Sequence, residues 1–232
     1  MTDIADNLAR VNDRIAAAAA RADRDPAALT LVAVSKTWPA ERIAEAAEAG
    51  QIDFGENKVQ ELIAKAPALP DHLCWHLIGH LQKNKVRKVL PLCGLIHSVD
   101  SLDLARRIDR IAGEESLRCE GLLQVNVAGD DAKFGFSVEE AREAFAEIAG
   151  LEQLAIRGLM TVPAYDEDPE KVRPHFARLR DLRDELAEAS GLDLPELSMG
   201  MSHDFEVAIE EGATLVRVGS AIFGQRDYSN GG

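Results

Sequence analysis

Cysteine is scarce in this chain: Cys74, Cys93 and Cys119 stand far apart in sequence and form no CxxC pair. Three cysteines at such spacing exclude a secreted disulfide framework and give no zinc site, so reduced structural thiols are expected. Long apolar runs are also missing. The run Ile15 to Ala20 is far too short to cross a bilayer. The opening Met-Thr-Asp-Ile-Ala-Asp has neither a basic n-region nor an apolar h-region, so no signal peptide is read and a cytoplasmic location is expected. Basic residues are in deficit, 26 against 40 acidic ones, for a formal net charge of −14. A field of that sign opposes nucleic acid or an anionic membrane as the main partner. Aromatics are sparse too, and there are only two tyrosines, Tyr165 and Tyr228.

What is present is an ordinary globular composition, 46% hydrophobic and 28% charged over 232 residues. That length is one large domain or two small ones, with enough chain to bury a core unaided. Ile4, Leu8, Val11 and Ile15 recur at helical spacing, predicting a leading helix within residues 1–24. Leu29 to Val34 then reads as a buried strand, and Pro39 to Gly50 as a helix. The strand–helix unit recurs. Further strands are predicted at Ile52–Gly55, His76–Gly79, Leu95–Val99, Leu122–Val127, Ile156–Thr161, Glu196–Met199 and Thr214–Val218. Helices are predicted between them at Asn57–Ala66, Leu81–Val89, Leu102–Ala112, Val138–Ala149, Pro169–Ala189 and His203–Glu211. Eight such units predict an α/β (β/α)8 barrel of TIM type with an extra N-terminal helix. A doubly wound open sheet is the alternative, but its glycine-rich first turn is absent. No linker interrupts the pattern, so residues 1–232 are read as one domain, with 229–232 as a frayed tail.

Functional side chains of such barrels project from the C-terminal strand ends. Val32, Val34 and Lys36 share one strand face, so if the valines fill the barrel Lys36 points into its mouth. There a partly desolvated amine can attack a carbonyl, whereas the ordinary reading is a solvated lysine ending a strand. Gly200-Met201-Ser202 runs into a helix, and Gly219-Ser220 follows the last strand. Backbone N–H groups and hydroxyls at such turns suit an anion such as phosphate, although capping alone would also explain them. Asp204 would repel a phosphate and is expected to face outward. Arg217 lies on the face of Gly219, poised for either a ligand or an internal ion pair. Lys83, Lys85, Arg87 and Lys88 read as a solvated helix face, and His76 and His80 as hydrogen-bonded structural histidines.

Seven segments then resemble one family: Leu31-Val-Ala-Val-Ser-Lys36-Thr, Phe54-Gly-Glu-Asn57-Lys-Val-Gln-Glu61, Trp75-His-Leu-Ile-Gly-His80-Leu-Gln-Lys-Asn-Lys-Val86, Gln124-Val-Asn126, Gly158-Leu-Met160, Leu197-Ser-Met-Gly-Met-Ser202 and Val216-Arg-Val-Gly-Ser-Ala-Ile-Phe-Gly224. They cover nearly the whole chain in order and resemble the pyridoxal phosphate homeostasis protein family, itself similar to the barrel domain of alanine racemase. The resemblance implies that Lys36 carries pyridoxal 5′-phosphate (PLP) as an internal aldimine, a Schiff base, with Asn57 near the cofactor and Arg217 facing the pyridine nitrogen. It further implies that Ser202, Gly219 and Ser220 hold the phosphate and that Met199 and Gly200 line the site. Lys133, which the resemblance marks as a second cofactor contact, is expected to be a solvated loop lysine.

The implied function is a PLP carrier serving vitamin B6 homeostasis, without robust catalysis and with apo PLP-dependent enzymes as partners. A monomer is expected, with a weak dimer as the alternative. The competing reading is a small amino-acid racemase, which needs a second base. Neither tyrosine is expected to supply it, since Tyr165 falls in the loop after the sixth strand and Tyr228 in the tail.

Overall fold

The computed structural model describes residues 3–130 and 132–224. Tyr228 and the expected tail at 229–232 lie outside the described residues.

Eight strands close into a parallel barrel in chain order: β1 (Thr30–Val34), β2 (Asp53–Glu56), β3 (Cys74–Leu77), β4 (Leu95–Val99), β5 (Cys119–Gln124), β6 (Leu154–Met160), β7 (Glu196–Met201) and β8 (Leu215–Val218). Closure is made by β1 against β8, with Thr30 opposite Leu215 and Val32 opposite Arg217. The first helix, α1 (Ile4–Arg21), precedes the barrel, and α2 (Ala40–Glu48) follows β1. The outer layer continues with α3 (Val59–Lys65), α4 (Val86–Val89), α5 (Leu102–Glu114), α6 (Val138–Ala149), α7 (Arg173–Ser190), α8 (Phe205–Glu210) and α9 (Ser220–Phe223). The barrel and the leading helix expected from the periodicity are both present.

Local chemistry accounts for the helix ends. Asp3 caps α1 by accepting from the Ala5 N–H, and α6 begins with a reciprocal Ser137–Glu140 capping box. The α1 stripe of Ile4, Leu8, Val11 and Ile15, continued by Ala18 and Ala19, is buried, and small alanines let the helix lie close against α8 and α9. Along each strand, side chains alternate between two cores. Odd-numbered Leu31 and Ala33 of β1 join the large core between sheet and helices. Val32, Leu95, Leu122, Met160 and Leu215 form a separate apolar cluster inside the barrel.

Several boundaries move. The fifth strand is Cys119–Gln124, not Leu122–Val127, because its backbone ladder with β6 starts at Cys119 opposite Leu154. Glu120 breaks the apolar run there without breaking the ladder. The expected Leu81–Val89 helix is a 3-10 turn over Lys83–Lys85 followed by α4. Pro169 likewise opens a separate 3-10 turn, Pro169–Lys171, ahead of α7. Two of the basic residues in this region pair with α5 and its C-cap, Lys83 at 2.7 Å from Asp103 and Arg87 with Glu114 and Glu115, on a face that stays half exposed. All three cysteines are free thiols, and burial pushes the Cys93 thiol up to about 12.

Candidate functional site

The C-terminal end of the barrel opens into a cavity of about 660 Å³ lined by Lys36, Asn57, Ser202, Arg217, Gly219 and Ser220 together with Val34, Trp38, Ile78, Val162, Tyr165, Met201, His203 and Gly224. Six of the eight residues proposed from the sequence therefore share one space.

Lys36 follows β1 on a backbone gripped at both sides. The buried Lys65 ammonium donates to the Ser35 carbonyl at 3.0 Å, to Glu56 Oε1 at 2.7 Å and to Glu61 Oε2 at 2.7 Å. Glu61 in turn accepts the Thr37 N–H at 2.6 Å, while the Ser35 hydroxyl donates to Glu56 Oε1 at 2.7 Å. Thr37 has φ 68°, a left-handed conformation unfavourable for a β-branched residue. The surrounding bonds hold that strain and set the direction in which Lys36 leaves the strand. Burial pushes the Glu56 carboxyl up, against the pull of Lys65 and Ser35. Glu61 is also desolvated, but its bonds from Lys65 and the Thr37 backbone draw it below the usual carboxylate range.

Opposite β1 in sequence, β7 and β8 build the turn suited to an anion. Gly200 sits at φ 90°, and a Cβ there would lie 2.7 Å from Ala208 Cβ and 2.8 Å from Phe205 Cα. Only glycine lets the strand end turn this close under α8. The Gly219 N–H donates to Ser202 Oγ at 3.2 Å, which ties the two turns together. Gly219 caps α9, whose first residue is Ser220. Asp204 does not face outward as expected. It is buried and accepts the Met201 N–H at 2.6 Å, because that otherwise orphaned donor precedes α8. Burial raises its pKa, opposed by the Met201 bond and the charge of Arg217.

Arg217 is buried at the cavity floor and is held by neutral groups: it donates to Ser198 Oγ and, at 2.8 Å, to the Thr161 carbonyl. Desolvation lowers its pKa to about 10 despite the charge of Asp204. Asn57 is brought in by a tight approach of the strand-three loop, since a Cβ on Gly79 would lie 2.3 Å from the Asn57 carbonyl oxygen. The buried Asn57 Oδ1 has no hydrogen-bond partner among the described residues. A buried acceptor left in that state is costly, and a ligand donor would relieve it.

Two expected site residues sit elsewhere. Met199 points into the core between sheet and helices, on the face opposite Ser198, and Gly200 shapes the turn without lining the cavity. Met201 and His203 take those places in the wall. Lys133 is only partly buried, yet its Nζ donates to the Val162 carbonyl at 2.9 Å and desolvation lowers its pKa, so it is not a freely solvated lysine. Tyr165 reaches the cavity rim, its ring 5.1 Å from that of His203. The signal for Tyr165 was its place after a strand C-terminus, the same rule that found Lys36. His76 and His80 are hydrogen-bonded, as expected, and their partners include Asp53 and Asp100 respectively. Among the described residues no group of three or more His, Cys, Asp or Glu is arranged to hold a metal ion.

A parallel barrel with a lysine after β1 and paired turns after β7 and β8 defines a class: residues 7–227 match the family model described as the alanine racemase N-terminal domain. Within it, the Aquifex aeolicus pyridoxal phosphate homeostasis protein is 47% identical over 224 residues, covering 96% of this chain and 98% of that one. The Homo sapiens protein of the same name is 41% identical, covering 96% of this chain and 86% of its own length. The structure of PipY from Synechococcus elongatus with PLP bound superposes with a TM-score of 0.84 at 43% identity, covering 95% of this chain and all of that one (100%). The chain belongs to the pyridoxal phosphate homeostasis protein family.

Proposed function

We propose that this chain holds PLP in the cavity described above, with Lys36 as the anchoring amine, and serves as an intracellular PLP carrier without robust catalysis. The observation that carries the reading is the sharing of one cavity by Lys36, the buried Arg217 and the Ser202–Gly219–Ser220 turns. The donor set fits the group. The backbone and hydroxyl donors of the two turns suit a phosphate ester, and Arg217 presents a donor to a ring nitrogen. The partnerless Asn57 Oδ1 supplies an acceptor. When bound, PLP supplies a reactive aldehyde and an electron-withdrawing ring.

The chain's own residues then divide the work. The Lys65–Glu56–Glu61 cluster orients the Lys36 backbone. A guanidinium beside the pyridine nitrogen disfavours its protonation and so weakens the ring as an electron sink, which suits storage over turnover. The relatives named for PLP homeostasis and the PLP-bound PipY structure support this reading. We further take residues 1–232 as one functional unit that is monomeric, cytoplasmic and able to pass PLP to apo-enzymes.

The test is reconstitution of purified protein with PLP, borohydride reduction and peptide mass mapping. The adduct is expected on Lys36 and absent in Lys36→Ala; a stable adduct in that variant overturns the assignment. A second reading, amino-acid racemisation, draws on Tyr165 at the cavity rim as a candidate second base. Incubation with single enantiomers of alanine separates the two. Sustained loss of chirality that disappears in both Lys36→Ala and Tyr165→Phe would favour the racemase.

A further inference from the structure

A line of polar groups crosses the otherwise apolar barrel interior. It starts at Arg217 on β8, which donates to Ser198 Oγ on β7. Ser198 Oγ lies 2.8 Å from His97 Nδ1 on β4, on the far side of the barrel. His97 Nε2 lies 2.8 Å from His76 Nδ1 on β3, and His76 Nε2 lies 3.1 Å from Asp53 Oδ1 on β2. Val32, Leu95, Leu122, Met160 and Leu215 pack inside the same barrel. Ser198 and His97 are completely buried, and Arg217 and His76 nearly so.

The two ends settle the direction of every link. A guanidinium only donates and a carboxylate only accepts. Ser198 therefore accepts from Arg217 and passes its own proton to His97 Nδ1. His97 must then carry its proton on Nε2 and give it to His76 Nδ1, and His76 must carry its proton on Nε2 and give it to Asp53. A cationic His76 would reverse the inner links. His97 would then donate to Ser198, putting two donors on one hydroxyl and leaving the serine proton without any of its present acceptors. Desolvation, with the nearby charge of Arg217, holds His97 well below the usual imidazole range, in keeping with a neutral ring.

We propose that Ser198, His97, His76 and Asp53 form a one-way hydrogen-bond wire, with both imidazoles in the Nε2–H form, that positions Arg217 as a donor toward the cavity. In a low-dielectric interior such chains reinforce one another, and the links among Arg217, Ser198, His97 and His76 have no water to fall back on, whereas Asp53 reaches solvent. Ser198, His97 and His76 are positioning residues acting through Arg217. That Arg217 meets a pyridine nitrogen rests on the carrier reading; the wire itself does not.

The experiment uses the ligand-free protein, so its failure is separate from a failure of PLP binding. In protein labelled with ¹⁵N-histidine, long-range proton–nitrogen NMR at neutral pH is expected to show His76 and His97 as neutral Nε2–H tautomers. An Nδ1–H tautomer or a cation at either position overturns the proposal. Ser198→Ala is expected to shift the His97 Nδ1 resonance, which loses its hydrogen-bond donor, and to speed rotation of the Arg217 guanidinium roughly tenfold, the loss of one hydrogen bond to a charged group. Ser198→Thr keeps the hydroxyl and is expected to restore both. An unchanged His97 Nδ1 resonance and unchanged Arg217 rotation in the folded alanine variant would show that Ser198 is not a link.

Discussion

The side-chain amide of Asn7 donates to the carbonyl oxygen of Ile222 at 2.7 Å, joining the first helix to the last across 215 positions of sequence. The contact is buried and belongs to a larger clamp. Arg14 makes two bonds to Glu206 on α8 and lies 4.5 Å over the Phe205 ring, while Arg24 donates to the Ile209 carbonyl. The leading helix thus braces from behind the two helices that follow the Ser202 and Gly219–Ser220 turns.

Asn7→Ala leaves the Ile222 carbonyl buried without its donor. A loss of about 1–3 kcal/mol is expected in urea unfolding. Because α9 is loosened at its end, PLP affinity by equilibrium dialysis is expected to fall as well. Full affinity in a measurably destabilised variant would show that the brace is for stability alone.

Gly200→Ala should be among the most damaging single-methyl additions in the chain. Its Cβ would meet Ala208 and the Phe205 backbone well inside contact distance, at a φ of 90° that alanine resists. Backbone strain and overpacking together predict a loss of about 2–4 kcal/mol. Calorimetric melting of the variant checks this, and a shift within error of wild type would contradict the packing described.

Lys65→Met removes the cation from Glu56, whose side chain is fully buried at 0% exposure. Breaking such a pair costs about 3–5 kcal/mol, because a buried carboxylate is left uncompensated. Adding Glu56→Gln is expected to recover a large part of that loss. Chemical denaturation of the single and double variants provides the comparison. Since the same lysine holds the Ser35 carbonyl, slower borohydride trapping at Lys36 is also expected in Lys65→Met.

Acid sensitivity has one source in the α7–α8 cluster. Hydrogen bonds from Arg173, then Arg21, hold the Glu210 carboxyl below its ordinary range. A depressed carboxylate contributes stability above its unfolded pKa of about 4.3, and the contribution is lost as pH falls through the folded value. Glu56 and Asp204, raised by burial, act in the opposite sense, since their protonated forms are favoured in the folded state. Glu210→Gln should therefore lower the melting temperature at neutral pH. The gap to wild type should close as pH falls through the depressed folded value of Glu210. A gap that stays constant across the range would exclude the ionic origin.

The sequence alone carried the barrel and most of the site's membership. Strand–helix alternation is a local, periodic signal, and side-chain alternation on β1 was enough to place Val32 inside the barrel and Lys36 at its mouth. Boundaries were legible only where pattern and backbone pairing coincide. At β5 they do not, because the ladder with β6 accepts Glu120 in an otherwise apolar strand.

What tertiary structure alone decided are the relations between distant segments. Asp204 turns inward because the Met201 N–H needs an acceptor, a demand invisible until β7 bends at Gly200. Met199 leaves the cavity and Met201 enters it for the same reason. Tyr165 reaches the rim, and Lys133 finds the Val162 carbonyl, only once the loops after β5 and β6 share one end of the barrel. The Arg217-to-Asp53 line depends on five strands whose contributing residues span 164 positions, and no local pattern relates them. Hydrophobic periodicity is written along the chain and can be read there. Hydrogen-bond partners of buried polar groups are chosen across it, when closure of the barrel removes water as the alternative.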